Sequence, residues 1–192
     1  MIKKILPTIL AAAVLLGVFS MAQAADPQVV MKTNKGDITI ELYADKAPIT
    51  VKNFLSYVDE KFYDGTIYHR VIKGFMIQGG GFTADMHEKP TKAAIKNEAA
   101  NGLKNLKGTI AMARTGEIDS ATCQFFINHK DNAFLDHKDE AEGFGYCVFG
   151  KVVAGMEVVD AIAEAPIMTK GMYRDVPRET VTIVSVRRVE SK

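Results

Sequence analysis

Hydrophobic and polar positions first fall into order over residues 28–34 and 38–43. In the second run Ile38, Ile40 and Leu42 alternate with Thr39, Glu41 and Tyr43, the period of a half-buried strand. Asn34-Lys35-Gly36-Asp37 between the runs is turn chemistry, so the pair reads as a hairpin. Asp45-Lys46-Ala47-Pro48 then opens a helix, an acidic residue ahead of a proline near the first turn. Its apolar stripe is Val51, Phe54, Leu55, Val58 and Phe62, and Asp64-Gly65 ends it.

Two short strands follow around Lys73-Gly74, carrying Tyr68-His69-Arg70-Val71-Ile72 and Phe75-Met76-Ile77-Gln78, with Gly79-Gly80-Gly81 closing the second. Residues 82–106 have little periodicity and much turn composition, a length that marks a functional or elaborately packed loop. Strands are expected at 108–113, 124–129, 146–153 and 181–189, a polar loop at 115–122, a turn at 132–136 and a helix at 157–163 that Pro166 stops. About eight short strands, two distant helices and no βαβ rhythm predict a mainly β chain. The expected architecture is an antiparallel sheet closed into a barrel, with the helices packed over its openings. No second domain is indicated.

Composition changes this picture at the N-terminus. Lys3 and Lys4 precede an almost wholly apolar run over residues 5–19 and an A-x-A signature, Ala22-Gln23-Ala24. This is the pattern of a secretory signal peptide cleaved after Ala24. The alternative, a membrane anchor, would need about 20 apolar residues. Cleavage leaves residues 25–192 as a single domain in the periplasm, with no membrane attachment thereafter. Removing Lys3 and Lys4 from the 24 basic residues leaves 22 against 23 acidic ones, a balance that argues against nucleic-acid binding. Cys123 and Cys147 read as two buried thiols or, in an oxidising compartment, as one bridge; without a C-x-x-C, redox catalysis is disfavoured.

Several chemistries find no residues to carry them. The glycine run lacks the Lys-Ser/Thr of a phosphate loop and reads instead as a close backbone approach or a strand bulge. His69, His87, His129 and His137 have no metal-ligand spacing, and no G-x-S-x-G is present. No cofactor is implied. What remains is the set His69, Arg70, Phe75, Met76 and Gln78, joined by Ala111-Met112-Ala113-Arg114, by Gln124-Phe125-Phe126-Ile127 and by Phe134-Leu135. Strand parity puts Gln124 and Phe126 on one face and Phe125 on the other. Taken alone these residues describe a small barrel with a cation beside apolar side chains, and no more.

At these positions the chain resembles the cyclophilins, peptidyl-prolyl cis–trans isomerases, most closely the bacterial periplasmic type. The resemblance rests on Phe54 with Tyr63, the run from Tyr68 to Gly80, Asn97-Glu98, Gly108-Thr109-Ile110-Ala111-Met112-Ala113, Ser120, Gln124-Phe125-Phe126-Ile127, Phe134-Leu135-Asp136 and Val148-Phe149-Gly150-Lys151-Val152. It implies an eight-stranded antiparallel β-barrel capped by two α-helices, with a substrate groove on its outside. It implies catalytic roles for Arg70, His69 and Gln78. Substrate binding would fall to Phe75, Met76, Ala113, Arg114, Gln124, Phe126, Phe134, Leu135 and Tyr146. The chain departs from the family pattern where Tyr146 replaces a histidine, Phe134 a tryptophan, Arg114 an asparagine and Cys123 a serine. Phe134 implies weak cyclosporin binding. The resemblance implies isomerisation of X-Pro bonds in exported, unfolded or partly folded polypeptides, and a monomer is expected because no feature points to a larger assembly. The competing reading is a non-catalytic module that holds proline-containing segments; a metallohydrolase built on the histidines lacks a ligand set.

Overall fold

The computed structural model describes residues 26–139 and 143–190. The proposed leader and its cleavage site lie outside the described residues. Ten strands and two helices follow in the order β1 Gln28–Thr33, β2 Gly36–Leu42, α1 Pro48–Asp59, β3 Thr66–Ile72, β4 Met76–Thr83, β5 Thr109–Met112, β6 Phe125–Asn128, β7 Val148–Ala154, α2 Met156–Ala163, β8 Ile167–Lys170, β9 Tyr173–Pro177 and β10 Ile183–Arg188. Eight of them form one antiparallel sheet ordered β10-β1-β2-β7-β5-β6-β4-β3. The sheet curls until its edges meet. Ile67 bridges Thr182, and the N–H groups of Tyr68 and Gly65 donate to the carbonyls of Val181 and Ile183 at 2.9 Å each. Closure removes the free edges that an open sheet would expose.

Alternation builds two apolar layers on the two faces of the sheet. Inward go Val29, Met31, Ile38, Ile40, Leu42, Tyr68, Ile77, Ile110, Phe125 and Phe149, which join Phe54 and Tyr57 of α1 and Val159 and Ile162 of α2 in one core. Outward go Met76, Ala111, Phe126 and Val148, which with Leu135 form a second, smaller cluster on the barrel wall. Phe125 and Phe126 thus face opposite ways, as the period of a strand requires.

Three local details differ from the sequence reading. The helix does open at Pro48, but its N-cap residue is Ala47, with no side-chain cap of its own. Glu98, from the long loop, accepts the N–H groups of Ile49 and Thr50 at 3.1 and 2.8 Å and so satisfies the exposed donors of the first turn. Phe62 lies beyond the helix end and packs on Tyr57, ring centroids 4.6 Å apart. Residues 167–178, for which the sequence pattern predicted no element, form an antiparallel hairpin, β8 with β9, lying against β3. Strand β8 is exposed along its whole length, so its sequence carries no buried alternation to betray it.

Candidate active site

Arg70 reaches the outer wall through an irregularity in β3. Tyr68 pairs with Gly79 and Arg70 with Gln78, so His69 is the extra residue of a bulge. Tyr68 and Val71 can then both point into the core, while His69 and Arg70 are turned outward in different directions. The partner strand carries the matching distortion in its glycines. Gly80 has φ +88°, and a Cβ there would sit 2.6 Å from Cε1 of Phe125. The run is therefore a close approach at a bulge, as its composition suggested.

A recess of about 130 Å³ opens on the outer cluster, lined by Arg70, Phe75, Met76, Gln78, Ala113, Arg114, Phe126, Leu135 and Tyr146. That is small beside the roughly 300–1,000 Å³ of pockets that engulf whole ligands, and it suits a single side chain. Met76, Phe126 and Leu135 are buried and form its floor. Phe126 meets Tyr146 edge-on at 5.7 Å, and the guanidinium of Arg114 lies 4.7 Å above the Tyr146 ring. Arg114 is fixed there by donating Nε–H to the Gly145 carbonyl at 3.0 Å and Nη1–H to that of Thr115 at 2.9 Å. The N–H of Ala113 is committed to the carbonyl of Gln124 at 3.0 Å.

Two predicted residues sit at the rim. Phe134, 67% exposed, stacks on Phe75 with centroids 5.5 Å apart. Gln124 accepts from Nε2 of Gln78 at 3.1 Å and lines an adjoining polar recess with Glu88, Arg114, Thr115, Ser120 and Thr122. His69 is elsewhere. It is 6% exposed, packs 4.5 Å from the Phe82 ring, and lines a separate recess under the β8–β9 hairpin. Burial, reinforced by the Arg70 charge, pulls its pKa down from 6.5 to about 4, so the imidazole is neutral at neutral pH. Its Nδ1 has no hydrogen-bond partner among the described residues. It does not line the apolar recess, and it meets Arg70 in the recess beneath the hairpin.

Sequence reasoning missed the asparagines that hold the recess in shape. Asn132 donates to the Phe75 carbonyl at 2.9 Å and to Oδ1 of Asn128 at 2.7 Å. Asn128 donates to Asn105, which in turn donates to the Leu135 carbonyl at 3.1 Å. All three are buried, so the network is tied to the fold and fixes Phe75 and Leu135 from beneath. An asparagine inside the otherwise apolar run Phe125–Asn128 was the available signal, because strands disfavour that residue unless it has partners. Cys123 and Cys147 are buried, unpaired thiols, and burial pushes both up to about 11. Among the described residues no group of three or more His, Cys, Asp or Glu could hold a metal ion, and no helix is long and apolar enough to cross a membrane.

Comparison with known proteins converges on one family. Residues 28–188 match the cyclophilin type peptidyl-prolyl cis-trans isomerase/CLD family. A peptidyl-prolyl cis-trans isomerase of Acinetobacter baylyi is 58% identical over 178 residues, 92% of this chain and 93% of that protein. Peptidyl-prolyl cis-trans isomerase B of Escherichia coli is 59% identical over 82% of this chain and 97% of its own length. A cyclophilin type peptidyl-prolyl cis-trans isomerase of Cryptosporidium parvum superposes with a TM-score of 0.72 at 26% identity, covering 87% of this chain and 99% of that one. A second structure of it, in the presence of the dipeptide Ala-Pro, gives a TM-score of 0.70.

Proposed function

The chain belongs to the cyclophilin-type peptidyl-prolyl cis-trans isomerases, and from that premise we propose that it is exported and turns X-Pro bonds in exported polypeptides as they fold. The observation that carries the reading is one guanidinium, Arg70, standing at the edge of an apolar recess floored by Met76, Phe126 and Leu135.

The chemistry follows from the amide. Rotation costs about 18–20 kcal/mol because twisting destroys resonance. In an X-Pro bond both isomers are populated, and they exchange in roughly tens to hundreds of seconds. At the twisted state the prolyl nitrogen regains a lone pair and becomes an acceptor. Arg70 donates to that nitrogen only there, and an interaction made only in the transition state is what accelerates a step. The recess grips the ring while the acyl side turns. Reaching milliseconds takes roughly a 10⁴–10⁵-fold acceleration, about 5–7 kcal/mol. A preorganised charge-assisted bond plus positioning is of that order. The neutral, buried His69 then serves the shape of β3 and not proton transfer. In this reading Phe75, Phe134, Tyr146 and Arg114 bound the substrate chain, and Gln78 and Gln124 offer it polar contacts.

The family binds proline-containing peptides, and the clients here would be unfolded or partly folded chains met by a monomer in the periplasm. The family match begins at residue 28, so the leader-like stretch precedes the matched residues. Phe134 offers less surface than the family's tryptophan, so cyclosporin is expected to bind weakly. The test is cis–trans exchange of an Ala-Pro peptide at substoichiometric protein. Enhanced exchange is expected; tight peptide binding without enhancement would favour a non-catalytic holder instead. Mass spectrometry of the periplasmic fraction should find a chain starting at Ala25, and an intact N-terminus in the cytoplasm would contradict export.

A further inference from the structure

Arg70 is 42% exposed along its side chain, and an exposed arginine wanders over many rotamers unless something holds it. Gln78 is its cross-strand partner and the obvious candidate to orient it. The amide nitrogen of Gln78, however, is given to Oε1 of Gln124 at 3.1 Å, and that of Gln124 to Oε1 of Glu88 at 3.3 Å. That leaves Oε1 of Gln78 as an acceptor, yet among the described residues no hydrogen bond joins it to the guanidinium. The carboxylate that reaches Arg70 is Asp175, on the hairpin strand β9, with Oδ2 3.9 Å from Nε. At that separation the pair is a contact between charges, longer than a hydrogen bond.

We propose that Asp175 is the positioning residue for Arg70, acting through that arginine and not on substrate. The inference rests on the isomerase reading above, with Arg70 as the donor. Arg70 lines both the apolar recess and the second recess, which is bounded by His69, Phe82, Tyr173 and Asp175. Drawing Nε toward the second recess leaves the terminal amino groups to face the first. A guanidinium has the five N–H donors to serve both sides.

The backbone of β9 supports the assignment independently. Asp175 has φ +60°, the left-handed region that side chains other than glycine enter at a cost. That residue breaks the alternation of its strand. Val176 and Pro177 are both buried in succession, and Asp175 is left on the side of β3. Its carboxylate is explained by what it faces.

The test uses Asp175→Asn, which keeps size and tolerates the left-handed conformation, and Asp175→Gly, which removes the backbone strain and so folds even if the first variant does not. Turnover of an Ala-Pro peptide is measured beside the ¹⁵N–¹H resonance of Arg70 Nε, assigned by its loss in Arg70→Ala. Both variants should lower kcat about two- to fivefold, the range an exposed ion pair supplies, with KM little changed and the Arg70 resonance displaced. Asp175→Asn placed on Arg70→Ala should cause no further loss. An unmoved resonance, unchanged kcat in both variants, or an equal loss on the Arg70→Ala background would each overturn the proposal. Full turnover by Arg70→Ala alone would remove the isomerase reading of Arg70 itself, whatever its resonance shows.

Discussion

Arg70 and His69 are sequence neighbours in different environments, and the difference decides what each can do. The bulge in β3 leaves the guanidinium half exposed at the groove and buries the imidazole against Phe82. A histidine held neutral in the fold has a signature in stability. Its pKa is 6.5 when unfolded and about 4 when folded, so between those values the unfolded chain binds a proton that the folded chain refuses. The stabilisation is complete above pH 6.5 and is lost as the pH falls toward 4, by up to about 3 kcal/mol at 1.36 kcal/mol for each pH unit between the two values. Urea midpoints measured at pH 7 and pH 4.5 should therefore differ by less in His69→Gln than in the parent. Equal pH dependence in the two would show that His69 is not the neutral group described. Tyrosine, lysine or arginine neighbours would not mimic the effect, since none titrates in that range.

At the scale of elements, what the sequence revealed depended on how local the cause was. Strand parity separated Phe125 from Phe126 and so separated core from groove, because a period of two is written in adjacent residues. The start of α1 was legible from Pro48, yet its capping carboxylate is Glu98, brought from 48 positions away by the long loop. No local pattern encodes that partnership. The β8–β9 hairpin was invisible for a different reason: β8 buries nothing, so burial leaves no periodic trace. The three-glycine run was read correctly as a close approach, and its cost of replacement can be stated. At Gly80 a methyl group meets the Phe125 ring in a closed core, on a left-handed backbone. Gly80→Ala should lower unfolding free energy by about 2–5 kcal/mol, combining backbone strain with overpacking. A denaturation midpoint unchanged from the parent would contradict the close packing of β4 on β6.

The whole molecule uses one closed sheet to carry two apolar surfaces. The inner one holds the barrel together; the outer one, supported by buried asparagines, floors the recess that a ligand would enter. The groove's residues were named through the resemblance to the cyclophilins, since their local patterns alone describe a cation beside apolar side chains. Its supports were not, because Asn105, Asn128 and Asn132 meet only after the chain has folded. The central claim is that the outer patch grips a prolyl ring while Arg70 stabilises the twisted amide. It is tested most directly by comparing the parent with Arg70→Ala in both peptide affinity and catalysed cis–trans exchange. Loss of one charge-assisted donor aimed at a transition state should lower exchange about 10²–10³-fold while peptide affinity changes little. Equal exchange rates in the two proteins, or a loss of exchange fully matched by a loss of affinity, would contradict the account.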